Sequence, residues 1–352
     1  MKQNGSPIQD VTYIILVNWN GGDDTIECLE SLFRLEQAQF RVIVCDNGSS
    51  DASVENIVEW ANGERVADCR SKEITKYVVP NVNKPIRHKI ISRAQAEAGE
   101  TIDDVSLVLI QCEENLGFAG GNNVGLRFAL LQPDMANAWL LNNDTVAEPL
   151  ALKWLLEEQG ENPESGMVGS TVVYYDAPDR VQALGGAIFF PPFAISYHLG
   201  RMKRVSSTPK TRAIKGKLSY IFGASMLVTR PFLEMVGLMS EEYFIYYEEI
   251  DWALRARGKF SITWAVNSKI YHKAGASTGS SNDMAKRSFN SDLYLMGNRL
   301  VFARRYFPQY VFTVRLFLVF ECILRLINGK FDSASAIWAM AKTGKFEAKY
   351  PR

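Results

Sequence analysis

Two acidic segments, far apart in the chain, carry the side chains best suited to chemistry. Leu141-Asn142-Asn143-Asp144 ends an apolar run in a carboxylate beside two amides. Tyr246-Tyr247-Glu248-Glu249-Ile250-Asp251-Trp252 places several carboxylates at the start of an expected helix. A lone acidic cluster is usually solvated surface, but apolar and aromatic residues flank both of these. Two acidic sites on buried elements can divide a task, one holding a metal ion and the other taking a proton.

For Asp144 the metal role needs little else. Hard ions such as Mg²⁺ take oxygen ligands and keep few protein carboxylates, so one Asp, an Asn carbonyl and a substrate diphosphate would suffice. The competing role is a helix N-cap ahead of Pro149, which suits the first turn of a following helix. Residues 248–257 read as a helix with its acids first and Arg255, Arg257 and Gly258 last, as the macrodipole and a glycine cap favour. Within it Asp251 and Arg255 form an i,i+4 pair, a purely structural use of that acid. Glu248 and Glu249 follow the aromatics Tyr243, Phe244, Tyr246 and Tyr247, whose walls would raise a carboxyl pKa and suit a base. His272 closes an expected strand. A satisfied core histidine is the commoner fate of such a residue, and metal ligation is the alternative.

Other polar groups gather where apolar runs end. Asp46, in Asp46-Asn47-Gly48-Ser49-Ser50-Asp51, either hydrogen-bonds a base or ribose or forms an Asx turn ahead of a helix. The segment Asn115-Leu116-Gly117-Phe118-Ala119-Gly120-Gly121-Asn122-Asn123 would let backbone approach a ligand and aim helix N–H groups at phosphate. It has neither the glycine spacing of a dinucleotide fold nor the lysine of a P-loop.

The elements that must position these groups alternate. Residues 13–17, 42–45, 107–110 and 138–141 are short β-rich runs. After the first, Ile26, Leu29, Leu32 and Phe33 recur at helical spacing, with Asp24 and Glu27 resembling a capping box. Val54, Ile57 and Val58 mark a second helix, and Val124, Phe128 and Leu131 face inward on a third. Strand, turn and helix in repetition predict an α/β fold with a mostly parallel sheet and ligand loops at the strands' carboxyl ends. Residues 61–105 interrupt the rhythm with prolines and charges and read as an insertion. Residues 201–217 hold seven basic groups and no acid, either a solvated mobile loop or a flap over a phosphate-bearing ligand.

The 352 residues suffice for one large domain plus an appendage, and 39 basic against 39 acidic residues leave no global field toward nucleic acid. Five cysteines without metal-ligand spacing fit reduced thiols. Residues 1–10 carry no signal-peptide core, so a cytoplasmic location is expected. Val311–Ile327 is apolar but holds Arg315, Glu321 and Arg325, which argue against a spanning helix. It reads either as a helix on an anionic membrane face, with Arg304 and Arg305 before it, or as one packed on the protein's own core.

Together, Val17-Asn18-Trp19-Asn20-Gly21, the Asp46 and Asn115 segments, Leu140-Leu141-Asn142-Asn143-Asp144-Thr145 and Tyr247-Glu248-Glu249-Ile250-Asp251 resemble, in their order, family 2 glycosyltransferases. The likeness covers residues 11–278 and is nearest to the bacterial rhamnosyl and galactofuranosyl branch. It implies a GT-A fold: a Rossmann-like central sheet with helices on both faces in residues 10–280, and a C-terminal helical region in 281–352. It also implies an inverting mechanism, a nucleotide-diphosphate donor and Mg²⁺ or Mn²⁺. By position it implies that Asp144 and His272 hold metal, with Asn142 replacing the first acid of an Asp-x-Asp motif. Glu249 is the base, with Glu248 the second choice. Donor contacts fall on Asn18, Asp46, Asn47, Asn115, Gly117, Gly120, Asn122 and Asn143. Acceptor contacts fall on Gly223, Ala224, Tyr246 and Asp251. The expected donor is dTDP-rhamnose, and the expected acceptor a lipid-linked or growing surface polysaccharide at the inner face of the cytoplasmic membrane. A binding module without chemistry and a nucleotidyltransferase are the competing readings; the latter would need basic residues where the glycine-rich segment has amides.

Overall fold

Strand β1 (Val11–Asn18) shows how the chain builds its layers. Tyr13 and Ile15 enter one apolar cluster, with Val124 and Phe128, while Ile14 and Leu16 enter another with Ile26 and Leu29. Side chains alternate across a strand, so each face of the sheet needs its own cover of helices. The computed structural model describes residues 10–207, 212–273 and 287–346.

The remaining strands are β2 (Phe40–Asn47), β3 (His88–Ser92), β4 (Leu107–Cys112), β5 (Met135–Leu141), β6 (Thr145–Ala147), β7 (Ser165–Tyr174), β8 (Ala177–Leu184), β9 (Gly186–Phe190), β10 (Ile195–His198), β11 (Tyr220–Ile221), β12 (Ser225–Thr229) and β13 (Ser261–His272). The block β3-β4-β2-β1-β5 is parallel throughout. Strand β12 then runs antiparallel to both β5 and β7, and the sheet continues through β8, β9 and β10. Strand β13 lies parallel to β7 and antiparallel to β6. This is the expected α/β architecture, with an antiparallel half that the sequence pattern did not anticipate.

The helices are α1 (Gly22–Leu32), α2 (Ser53–Asn62), α3 (Arg93–Glu97), α4 (Gly117–Leu131), α5 (Ala151–Glu161), α6 (Arg212–Lys215), α7 (Arg230–Val236), α8 (Glu248–Ala256), α9 (Phe289–Tyr306), α10 (Val311–Ile327) and α11 (Phe331–Thr343). Three local expectations need correction. Helix α1 has no side-chain cap: Asp24 and Glu27 instead pair with Lys273, each at 2.5 Å. Leu131 is exposed, because α4 ends there and its last buried positions are Phe128 and Ala129. Pro149 precedes the N-cap Leu150 of α5 and lies outside its first turn. Residues 61–105 contribute β3 and α3 at the edge of the parallel block. Of the basic stretch, Lys215 pairs with Glu158 at 2.6 Å, and residues 208–211 lie outside the described residues. The domain boundary expected at 280–281 also lies outside them.

Helices α9, α10 and α11 form a C-terminal layer with its own apolar cluster. Phe302 of α9 enters the main core, and Tyr306 donates to Asp251 at 2.5 Å, so the layer is locked to α8. Helix α10 packs on the protein's own core along one face only. Val314, Leu318, Cys322 and Arg325 are buried, with the Arg325 guanidinium paired to Asp292 at 2.7 Å, while the opposite face is apolar and exposed.

Candidate active site

The parallel strands β1 and β2 end side by side, Asn18 opposite Asp46. Asn18 Nδ2 donates to Asp46 Oδ1 (2.7 Å), and Ser49 reaches the same carboxylate through its hydroxyl (2.6 Å) and its N–H (3.1 Å). Thr25 donates to Asn18 Oδ1 (2.8 Å), and Asn143 Nδ2 donates to Thr25 (2.9 Å). Asn18, Asp46 and Asn143 are therefore tied into one buried network that fixes three strand ends. Asp46 forms the turn that its sequence suggested, and its carboxylate retains little capacity for a further donor.

The loop into α4 is stitched by amides. Asn47 Nδ2 donates to Asn115 Oδ1 and to the Gly117 carbonyl, and Asn47 Oδ1 accepts from the Leu116 N–H. Gly117 has φ +73°, and any Cβ there would overlap the Phe244 carbonyl, so only glycine fits. Gly120 lies against Leu116 inside the helix, while Gly121 and Gly125 let α4 approach Val17 and Ile15 on β1. The glycine run thus serves helix-to-sheet packing as much as ligand approach. Above it opens a cavity of about 220 Å³, whose lining includes Trp19, Asn47, Asn115, Gly117, Asn122, Asn142 and Asn143. Gly120 is not among the lining residues. The opposite wall comes from Phe244, Ile245 and the start of α9, including Asn290 and Tyr294.

Asp144 and His272 meet, as the end of β13 pairs with β6. His272 Nε2 lies 3.1 Å from Asp144 Oδ1 and 3.3 Å from Asn142 Nδ2, while Nδ1 lies 2.9 Å from Gln182 Oε1. Burial pushes the Asp144 carboxyl up, but His272 and Lys273 more than offset it, leaving it below its ordinary value. Asn142 Oδ1 is a buried oxygen with no hydrogen-bond partner. An orphaned buried acceptor beside a carboxylate and an imidazole is the donor set a divalent cation would satisfy. Among the described residues no group of three or more His, Cys, Asp or Glu offers a complete metal cage. The residues fit a cation that takes its other ligands from substrate.

The second carboxylate site is built on strain. Phe244, Tyr246 and Tyr247 all have positive φ, at 55°, 70° and 80°. Such residues cost about 1–3 kcal/mol each and persist only where the surroundings hold them. Asn298 of α9 does so, its side chain donating to the carbonyls of Tyr243, Ile245 and Tyr246 at 2.6, 2.8 and 3.3 Å. Tyr247 donates to the Ala194 carbonyl at 2.6 Å. From this loop α8 starts with Glu248 and Glu249. Glu248 is buried with Oε2 unpartnered, and burial together with the neighbouring Glu249 charge pushes its pKa well up. Glu249 is half-buried, and burial raises it to about 7 while backbone N–H groups, including that of Gly223, restrain the rise.

Gly223 and Ala224 join the two sites. The Ala224 carbonyl accepts from the Asn142 N–H at 3.1 Å. A Cβ added at Gly223 would overlap Glu249 Oε1. Phe222 packs edge-on to His272, ring centres 5.9 Å apart. Asp251 does not join them. It is buried and takes bonds from Arg255 (2.7 Å) and Tyr306 (2.5 Å), the structural use its i,i+4 spacing allowed and not the expected acceptor contact. Sequence reasoning missed Gln182, Lys273 and Asn298. None lies in a recognisable motif, and each acts only through long-range contacts.

Residues 13–88 match the model of a family described as glycosyl transferase family 2. The low-salt glycan biosynthesis hexosyltransferase Agl10 of Haloferax volcanii is 23% identical over 143 residues, 41% of this chain and 44% of that protein. The chain therefore aligns with less than half the length of this curated relative. Among solved structures, mannosyltransferase PcManGT from Pyrobaculum calidifontis, in complex with GDP-Man and Mn²⁺, is similar with a TM-score of 0.50 at 14% identity, over 96% of this chain and 76% of that one. GalNAc-T7 with UDP, GalNAc and Mn²⁺ gives 0.54 at 10% identity, over 98% and 59%. Identities this low speak to the fold alone, and the fold is GT-A-like.

Proposed function

We propose that this chain is an inverting glycosyltransferase that moves a sugar from a nucleoside diphosphate to a hydroxyl. The observation that carries the reading is the junction at Gly223 and Ala224: one residue seats Glu249 and the next holds Asn142, so a proton acceptor and a cation-fitting oxygen cluster border one strand end. The family match over residues 13–88 and the named hexosyltransferase relative support it.

The amide-lined cavity receives the donor, with Trp19, Asn47, Asn115 and Gly117 among the residues that line it. Glu249, poised at about 7, takes the proton of the acceptor hydroxyl. That oxygen then attacks the anomeric carbon on the face opposite the diphosphate; the carbon–oxygen bond to the diphosphate breaks and the configuration inverts. Burial and the neighbouring Glu249 charge push Glu248 well up, which favours its protonated form and spares Glu249 a charged neighbour. Asp144, His272 and Asn142 would hold Mg²⁺ or Mn²⁺, which when bound supplies positive charge against the departing diphosphate. Gln182 orients the His272 ring from behind, and Gly223 leaves Glu249 the space it needs. The favoured donor is dTDP-rhamnose, with galactofuranosyl and other hexosyl donors next. The favoured acceptor is a lipid-linked or growing surface polysaccharide.

Incubation with Mn²⁺ and dTDP-rhamnose, UDP-galactofuranose or GDP-mannose, with and without acceptor glycan, tests the reading through nucleoside diphosphate release. Acceptor-dependent release is expected. Pyrophosphate exchange would instead identify a nucleotidyltransferase, and binding without turnover a recognition module.

A further inference from the structure

Helix α10 presents Phe312, Leu316, Phe320, Ile323 and Ile327 on one exposed face, between 48% and 75% accessible. This inverts the usual pattern, in which a surface helix turns its charges outward. Here the outward face is apolar, and Arg325 is buried against Asp292 and Glu321. The stripe continues sideways: Phe317 packs on Phe193, ring centres 5.7 Å apart, beside the β9–β10 hairpin, where Phe190 and Tyr197 are also exposed. On α11, Trp338 is 52% exposed. An exposed apolar face this long on a folded chain marks an interaction surface.

Charge indicates what covers it. Arg315 donates to the Ala341 and Lys342 carbonyls, which brings the end of α11 beside the start of the stripe. Around Gly344 stand Arg304 and Arg315, with Lys342 and Lys345 nearby in sequence. Among the described residues none of these four basic groups has an acidic partner within ion-pair distance. An anionic bilayer complements both parts, taking the apolar face into its headgroup boundary and neutralising the basic groups. Among the described residues no helix is long and apolar enough to cross a membrane, so contact is along the surface.

We infer that the α10 stripe, with Trp338 and the basic cluster at the end of α11, docks the protein on an anionic lipid surface. The hairpin beside the stripe carries the Ala194 carbonyl that Tyr247 grips, one residue before Glu248. Docking there would bring a lipid-carried acceptor alongside the carboxylate pair, an extension that rests on the glycosyltransferase reading. The docking surface itself does not.

The test is flotation of the full chain with phosphatidylcholine vesicles and with vesicles that also contain phosphatidylglycerol. Binding to the anionic vesicles, weakened by high salt, is expected. The double variant Leu316→Glu, Phe320→Glu should lose at least tenfold in binding, with its fold checked by circular dichroism. Should that variant misfold, Lys342→Glu with Lys345→Glu provides an independent check at exposed positions, each change weakening binding by about fivefold. Wild-type protein that stays with the supernatant, or variants that bind as well as wild type, would overturn the inference. So would self-association in sedimentation that the Leu316→Glu, Phe320→Glu pair abolishes while vesicles bind nothing. Donor turnover on a soluble acceptor, followed in the same proteins, reads the glycosyltransferase reading separately: turnover without flotation sinks only the docking, and flotation without turnover sinks only the enzyme.

Discussion

The strand-end network and the start of α8 are both buried and polar, yet they are finished differently. Around Asn18, Asp46, Thr25 and Asn143 the side chains bond chiefly to one another, and the result is a scaffold. At α8 the backbone is strained, one carboxylate oxygen of Glu248 has no partner, and a raised carboxyl faces glycine. Asn142 stands between them: its N–H is used and its Oδ1 is not. Such a network chiefly stabilises the fold, and of these four residues only Asn143 lines the cavity. Unfinished groups held in place by finished ones are what a reacting site requires.

The contrast is broken most directly at Glu249. Glu249→Gln keeps the shape and removes proton uptake, so kcat should fall by about 10²–10⁴ while the donor KM changes little. Steady-state kinetics with saturating acceptor reads both. Near-wild-type turnover would move the base elsewhere, with Glu248 next to test. Gly223→Ala should act on the same carboxylate from the other side. The added Cβ overlaps Glu249 Oε1 and must displace it, and misplacing a base by about an ångström costs on the order of 100-fold. A double variant no worse than Glu249→Gln alone would show that the glycine acts through the base.

These sites differ in how far residue order alone could reach them. Asp144 and His272 stand at the ends of apolar runs, and the fold brings them together because β13 pairs with β6, whereas Glu248 and Glu249 are neighbours in sequence behind a run of aromatics. Asp251 misled in its acceptor role, although its i,i+4 spacing to Arg255 already suggested the structural use it has. The antiparallel half of the sheet was not anticipated, since β12 and β13 pair with strands distant in sequence and no local pattern encodes those partners. Asn298 was missed for a related reason. It is one polar residue inside a helix, and its value comes from three carbonyls on a loop more than fifty positions earlier.

Asn298 also sharpens the comparison, because it supports strain where Asn143 supports order. Asn298→Ala would leave three carbonyls of a strained loop without their donor. A loss of about 2–3 kcal/mol in unfolding free energy is expected, together with lower turnover as Glu248 and Glu249 lose their mounting. Asn143→Ala should cost about 1–2 kcal/mol, since its main bond is to the Thr25 hydroxyl. Urea titrations of both variants give the ranking, and a larger activity loss in Asn143→Ala than in Asn298→Ala would reverse the assignment of scaffold and site.

The cleanest separation of the two regions depends on protons. Glu249 titrates at about 7 in the folded chain against an ordinary 4.5. Between those values the folded protein holds a proton that the unfolded chain has released. Unfolding then releases protons, so stability is greatest at the acid end of this window and declines as pH rises toward 7. Glu248, raised further, adds to the slope in the same direction. The share of Glu249 is at most about 3 kcal/mol, and its partial exposure reduces it. Turnover should move the opposite way, kcat/KM rising through about pH 7 as Glu249 loses its proton. Chemical denaturation from pH 5 to pH 8 should show a shallower decline in Glu249→Gln than in wild type. Asn143→Ala should lower the whole curve without changing its slope, since the substitution removes no titratable group.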